Sequence, residues 1–312
     1  MEYKKLGKSD LKVSRVGLGT WQFGTAGWRF LDREMMKKVV NESLDNGVNF
    51  IDTAEVYGNG VSEEVIGEVI KERGDRDNLV IATKVSGAHL RYKDVLKAAE
   101  HSLKRLQIDV IDLYQVHWPS SYVPISETMK ALDELLKEGK IRYVGLSNFP
   151  VCQTKEAMES LKNGEIISNQ IRYNVVQRDI EKELLPFMRK HGIVTIAYSP
   201  LAMGLLTGKY DESTEFPPED FRANHPLFKN KNNFRQVLRV VEVMREIAEA
   251  HNATVPQVAI SWLLKMDDIF PIPGAKSPEH VKQNVESVNL KLSDDEWRKI
   301  TEISNKLDLE YF

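Results

Sequence analysis

Four residues of different chemical type recur at nearly equal steps in the first half of the chain: Asp52, Lys84 and His117, with Tyr57 five positions after Asp52 in a Gly-rich stretch. Together they describe a proton-transfer site. A tyrosine, with an ordinary pKa of about 10, donates a proton poorly at neutral pH unless its phenolate is stabilised. A nearby ammonium supplies that stabilisation, and a carboxylate behind the ammonium keeps it charged and oriented. A histidine beside the reacting oxygen can orient a carbonyl by hydrogen bonding. Such a group of residues would protonate a carbonyl oxygen while hydride arrives from elsewhere. No side chain carries hydride, so a cofactor must supply it.

The elements that must bring these residues together follow from the apolar pattern. Eight short runs have strand character: residues 16–20, 49–53, 79–84, 112–117, 143–148, 168–174, 194–199 and 269–274. Their ends at Thr20, Asp52, Lys84, His117 and Asn148 lie 31 to 33 residues apart, one strand plus one helix each time. The intervals carry helical periodicity. Residues 33–46 place Met36, Val39, Val40 and Leu44 on one face, with Gly47 as the stop. Residues 62–73 read as a helix that Ser62 caps and Gly74 ends, and 124–139 turns Met129, Leu132, Leu135 and Leu136 inward. Strands alternating with such helices imply a parallel sheet, and eight units match an α/β fold of the closed (β/α)8 TIM-barrel type. Chemistry in such a barrel sits at the C-terminal ends of the strands, where the four residues fall.

Two departures from the repeat stand out. Residues 2–6 and 11–15 flank a turn at Gly7-Lys8-Ser9-Asp10 and read as an N-terminal β-hairpin. Between the seventh and eighth strands lie about 70 residues, and the polar stretch 209–233 reads as a long loop over the barrel mouth. Helices over 233–251 and 255–265 follow, the second capped by Thr254, and a last one over 294–306 is capped by Ser293. No linker interrupts the pattern, so residues 1–312 read as one domain.

Composition narrows the partners. The 312 residues are 42% hydrophobic and 29% charged, with a net charge of -3 and no run of like charge. That balance builds a large core and offers no basic face to nucleic acid. Cys152 is the one cysteine, which excludes an internal disulfide; with no base to activate it, it reads as a bystander at a helix start. The seven histidines form no His-x-x-x-His pair, so no metal is expected. Residues 1–7 lack the apolar core of a signal peptide, and residues 192–208, the longest uncharged stretch, are too short to span a bilayer. The expectation is a cytoplasmic protein with no membrane partner, a monomer or weak homo-oligomer. Gly17-Leu18-Gly19 opens like a dinucleotide fingerprint but meets Gln at position 22, and the stretch 204–210 is one residue short of a P-loop.

Several stretches make a resemblance specific. Gly17-Leu18-Gly19-Thr20-Trp21, the run from Phe50 through Asp52-Thr53-Ala54-Glu55-Val56-Tyr57-Gly58, and Gly60-Val61-Ser62-Glu63 are similar to the signature of aldo-keto reductases. Gly145-Leu146-Ser147-Asn148-Phe149 and Pro271-Ile272-Pro273-Gly274-Ala275-Lys276 resemble the same family, and the match runs from about residue 3 to residue 305. The resemblance implies an NADPH-dependent reductase of small-molecule aldehydes and ketones. It would make Tyr57 the general acid, Lys84 and Asp52 its tuning pair and His117 the carbonyl orienter. Ser147, Asn148 and Gln170 would hold the nicotinamide carboxamide, with Asp52 beneath and Tyr198 stacked on the ring. Gly19, Thr20 and Trp21 would line the mouth, and Ser199, Pro200, Leu201, Gly204 and Lys209 would hold the pyrophosphate. Gly274, Lys276 and Ser277 would take the adenosine end with His280, Gln283 and Asn284 of the next helix. Lys276 is placed for a 2′-phosphate, which favours NADP(H) over NAD(H).

Two features of that end depart from the family pattern: His280 replaces a more usual arginine or glutamine, and Gln283-Asn284 a more usual Glu-Asn. Substrate would meet Trp21, Tyr57, His117 and Trp118, with Trp28, Tyr311 and Phe312 as further candidates. Two roles fit these residues: a reductase, or a cofactor-binding redox sensor such as the resembling potassium-channel β-subunits.

Overall fold

The computed structural model describes residues 1–24 and 31–310; Trp28, Tyr311 and Phe312 lie outside the described residues. A hairpin of β1 (Tyr3–Lys5) and β2 (Lys12–Ser14) pairs antiparallel, as expected. Eight parallel strands follow in sequential spatial order: β3 (Leu18–Gly19), β4 (Phe50–Asp52), β5 (Val80–Val85), β6 (Ile111–Val116), β7 (Ile141–Ser147), β8 (Ile166–Arg172), β9 (Val194–Tyr198) and β10 (Ile269–Pro271). The two outer strands of that order meet. Gly17 N–H donates to Pro271 O at 3.0 Å, Gly19 N–H to Pro273 O at 3.2 Å, and Gly19 pairs in parallel with Gly274, which closes the sheet into a barrel.

Helices α1 (Arg33–Asp45), α2 (Val61–Arg73), α3 (Tyr92–Leu106), α4 (Ile125–Lys137), α5 (Val151–Ser160) and α6 (Leu184–His191) alternate with the strands. After β9 come α7 (Pro226–Lys229), α8 (Lys231–Ala250) and α9 (Val255–Leu264), and after β10 come α10 (Pro278–Glu286) and α11 (Asp294–Ser304). The expected caps at Thr254 and Ser293 are both present as capping boxes, with Gln257 and Glu296 as their partners.

Alternation along the strands divides the apolar side chains between two cores. Val39, Ile66, Ile81, Tyr114 and Trp262 belong to the layer between sheet and helices. Phe50, Val80, Ala82, Leu113, Ile196 and Phe270 fill the barrel interior, and Leu6, Leu11 and Val13 of the hairpin pack with them and plug the bottom. The register of β7 on β8 shifts between Val144 and Gly145, where Ile166 faces the first and Ser168 the second. The extra residue, Ile167, joins the interior apolar cluster, and the strand beyond it still turns Gln170 inward. Among the described residues no helix is long and apolar enough to cross a membrane.

Two sequence expectations need correction. Ser62 does not cap α2. The helix begins one residue earlier behind Gly60, whose φ of 98° few other residues adopt, and Ser62 is buried inside the first turn. The stretch 209–233 is not all loop: it holds a short helical turn at Phe221–Asn224, then α7 and the start of α8. Tyr210, Phe216 and Phe228 pack edge to face there, with centroids 5.1 to 6.4 Å apart. The Arg222 guanidinium lies 4.6 Å from the Phe216 ring centroid. That aromatic centre gives the segment a fixed shape.

Candidate active site

Asp52 ends β4, Lys84 is the penultimate residue of β5, and His117 directly follows β6. Tyr57 reaches the same rim from the β4–α2 connection. Its N–H donates to Ala54 O at 3.0 Å, and left-handed backbone at Gly58, Asn59 and Gly60 then turns the chain into α2.

Lys84 is fully buried, and its Nζ makes three contacts: Asp52 Oδ1 at 2.5 Å, Thr53 O at 2.7 Å and the Tyr57 hydroxyl at 3.3 Å. The other oxygen of Asp52 accepts from Gln115 Nε2 at 3.0 Å and from Gln170 Nε2 at 2.7 Å. Those amides also bond to each other, Gln170 Nε2 donating to Gln115 Oε1 at 3.2 Å. A carboxylate held by an ammonium and two amides is well compensated for its burial. The His117 ring stands edge-on to Tyr57 with centroids 5.7 Å apart, and the Trp118 ring stacks on His117 at 6.4 Å.

The protonation states follow from burial first. Loss of water raises the Tyr57 pKa above its usual 10; the Lys84 charge pulls it down but does not win, and Asp52 adds to the rise. Lys84 thus acts on Tyr57 in the expected direction, and burial outweighs it. Tyr57 is a phenol across the neutral range. Burial alone would discharge Lys84, but the field of Asp52, then that of Tyr57, and its bonds to both raise its pKa instead. Burial, reinforced by Lys84, lowers His117 to about 3, so its imidazole is neutral.

These groups open onto one cavity of about 1180 Å³ at the C-terminal mouth of the barrel. Tyr57, His117, Trp118 and Trp21 line it, as do Asp52, Gly19 and Thr20. Ser147, Asn148, Gln170 and Tyr198 form its floor; Ser199, Pro200, Leu201, Gly204 and Lys209 follow along the wall, ending at Gly274, Lys276, His280, Gln283 and Asn284. Two expected residues lie off that wall. Lys84 sits behind Tyr57, and the Ser277 Oγ accepts from His280 N as the cap of α10.

The floor is already hydrogen-bonded. Asn148 Nδ2 donates to His117 O at 3.2 Å and to Ser147 Oγ at 3.0 Å, while Asn148 Oδ1 accepts from the Tyr198 hydroxyl at 3.0 Å. Ser199, Ala202 and Met203 all hold left-handed backbone conformations beside Gly204, a cost tolerated mainly at binding turns. Lys209 and Lys276 both act on His280 and, with burial as the larger cause, lower its pKa; the three share one corner. Across the mouth, Trp21 meets Phe221 edge to face at 5.9 Å, so the segment after β9 bridges to the β3 end.

Several lining or supporting residues escaped the sequence reading. Gln115 lies two residues before His117 on the inward face of β6, and period-two alternation could have found it. Gln22, buried beside the turn at Gly274, donates to Gly19 O at 3.0 Å and Ala275 O at 2.9 Å. Arg172, Phe221, Arg222 and His225 line the cavity without any motif that announces them.

The model of the Aldo/keto reductase family matches residues 15–305. The chain is 35% identical to aldo-keto reductase YhdN of Bacillus subtilis (strain 168), over 97% of this chain and 93% of that protein. It is also 35% identical to the NADH-specific methylglyoxal reductase of Escherichia coli (strain K12), over 97% of this chain and 98% of that protein. The crystal structure of an aldo-keto reductase from Klebsiella pneumoniae in complex with NADPH superposes with a TM-score of 0.79 at 30% identity, covering 100% of both chains.

Proposed function

The chain belongs to the aldo/keto reductase family, and from that premise we propose that it reduces small aldehydes or ketones to alcohols with NADPH, Tyr57 giving the proton. One observation carries the reading. The Tyr57 phenol and the neutral His117 imidazole share a cavity wall, and the Tyr57 hydroxyl lies 3.3 Å from a buried ammonium.

The cavity fits the cofactor this requires. At about 1180 Å³ it exceeds what a small substrate needs, since pockets for such ligands run to roughly 300–1,000 Å³. When bound, the nicotinamide supplies hydride to the carbonyl carbon. Tyr198 would support its ring, and Ser147, Asn148 and Gln170 would meet its carboxamide by exchanging some of their present bonds. The left-handed turn from Ser199 to Gly204 would offer backbone N–H groups to the pyrophosphate, with Lys209 beside it. Lys276 with Lys209 gives a cationic corner suited to a 2′-phosphate, which supports NADPH over the NADH named for the Escherichia coli relative.

The chain's own contribution is to place and protonate. His117, uncharged, donates a hydrogen bond to the carbonyl oxygen and holds it near Tyr57. As the carbon takes hydride, the oxygen becomes basic and takes the Tyr57 proton, giving the alcohol. The phenolate left behind is stabilised by Lys84, whose charge Asp52 maintains. Trp21 and Trp118, 40% and 51% exposed at the rim, would receive the apolar part of the substrate. Consumption of NADPH at 340 nm against a panel of aldehydes and ketones tests this. Stoichiometric alcohol formation supports it, and tight cofactor binding without turnover contradicts it.

A further inference from the structure

The turn that carries Tyr57 runs into the first turn of α2, where the adjacent residues Ser62 and Glu63 are both fully buried. Ser62 Oγ lies 2.8 Å from Thr53 Oγ1 and donates to Thr20 Oγ1 at 2.8 Å. Glu63 Oε1 accepts from Thr83 Oγ1 at 2.6 Å, and its Oε2 accepts from Arg105 Nε at 2.6 Å. Thr53 follows Asp52, and Thr83 precedes Lys84. The start of α2 is thus keyed to both strands that hold the buried ion pair, each time at the residue next to it. Arg105 completes the fit from outside: a Cβ on Gly60 would stand 2.5 Å from Arg105 Cδ.

The hydrogen bond Tyr57 receives is too long to fix it alone. Charge-assisted bonds to an ammonium usually measure about 2.7–2.9 Å, and the Lys84 contact to the phenol, at 3.3 Å, is longer. The position of the hydroxyl therefore depends on ring packing against His117 and on the placement of its backbone, which runs directly into α2. A carboxylate buried as Glu63 is costs more than an apolar packing residue would, so its presence calls for a directional role.

We propose that Glu63, acting through Thr83, is a positioning residue that sets the distance between the Tyr57 hydroxyl and the Lys84 ammonium. The proposal deepens the reading of Tyr57 as proton donor and rests on it for its effect on rate. Its effect on geometry is independent of any turnover.

Thr83→Val removes one hydroxyl at nearly constant volume and tests the link, with Thr83→Ser as the rescue. Thr195→Val, which deletes a buried hydroxyl on β9 that has no hydrogen-bond partner among the described residues, is the control. Two quantities are read in the full chain. One is kcat against KM for a turned-over aldehyde at saturating NADPH. The other is the 13Cζ resonance of Tyr57 in tyrosine-labelled protein, assigned by its loss in Tyr57→Phe. A displacement near 1 Å at a reacting group costs about a hundredfold, so Thr83→Val is expected to lower kcat by roughly ten- to a hundredfold. KM and NADPH affinity should stay within about twofold, and the Tyr57 resonance should move. Thr83→Ser should restore both readings and Thr195→Val should change neither. A Tyr57 resonance that stays in place in Thr83→Val overturns the proposal, as does an unchanged kcat in a turning-over enzyme. If the unaltered protein turns over no carbonyl, the functional reading fails, while the resonance still decides the positioning role.

Discussion

Lys84 Nζ lies 2.5 Å from Asp52 Oδ1 and 3.3 Å from the Tyr57 hydroxyl, so the ammonium belongs to the carboxylate and only leans toward the phenol. This asymmetry suits a donor that must first keep its proton. With burial holding Tyr57 as phenol, the ammonium's main work begins when the proton leaves and a phenolate appears beside it.

Lys84→Met should separate the two duties of that ammonium. It leaves Asp52 buried without its counter-charge, and breaking a buried pair in this way costs about 3–5 kcal/mol. Urea unfolding measures that loss. Adding Asp52→Asn should recover most of the stability, whereas kcat should stay down by about a hundredfold or more in both variants.

The depressed His117 sets a pH dependence with a definite sign. Its pKa is about 3 in the folded chain against an ordinary 6.5, so the unfolded chain binds the extra proton between those values. The stability from this group is complete above about 6.5 and is lost as pH falls toward 3. Urea midpoints at pH 7 and pH 4 should therefore differ more for the unaltered chain than for His117→Gln. Because His117 is already neutral, the reduction rate at saturating NADPH should show no limb from this histidine between about pH 5 and 9.

His280 should make NADPH binding, and not NADH binding, pH-dependent. Burial, Lys209 and Lys276 lower its pKa, and the negative charge of a 2′-phosphate would raise it again. NADPH affinity should then tighten as pH falls from 8 toward 6, with proton uptake visible by calorimetry in buffers of different ionisation heat. His280→Ala should flatten that dependence. Lys276→Ala should erode the NADPH:NADH preference at every pH, and an unchanged ratio would remove Lys276 from the phosphate corner.

Gly145→Ala should disturb the inner network from below. A Cβ there would meet Ser168 Oγ at 2.7 Å and Gln115 Cγ at 2.9 Å, both inside the barrel beneath Asp52. Overpacking of this kind costs about 1–3 kcal/mol. Thermal unfolding should show it, and kcat should fall with it because Gln115 is one of the two amides on the second oxygen of Asp52.

The legible part of this molecule was its repeat and the residues at its period. The 31- to 33-residue spacing marked the strand ends, and the caps at Thr254 and Ser293 came from local chemistry that tertiary contacts do not override. Ser62 misled for a physical reason. A serine ahead of two acidic residues reads as a cap, yet Gly60 turns the chain sooner and buries the hydroxyl against Thr53 and Thr20. The extra residue at Ile167 leaves no mark on the apolar pattern, because both neighbours of that position are also buried. Gln115 is an amide whose value depends on what faces it across the barrel, which only closure decides. Tyr57 shows the same limit in energetic form: residue types announced the ammonium beside it, but not the burial that outweighs the ammonium.

The most direct test of the account is Tyr57→Phe, with NADPH binding by fluorescence and NADPH consumption with a reactive aldehyde measured on the same preparation. The account predicts an unchanged Kd for NADPH and a rate below about one hundredth of the unaltered chain's, since a general acid contributes roughly 10²–10⁴-fold. A variant that binds NADPH normally and keeps most of the rate would contradict it.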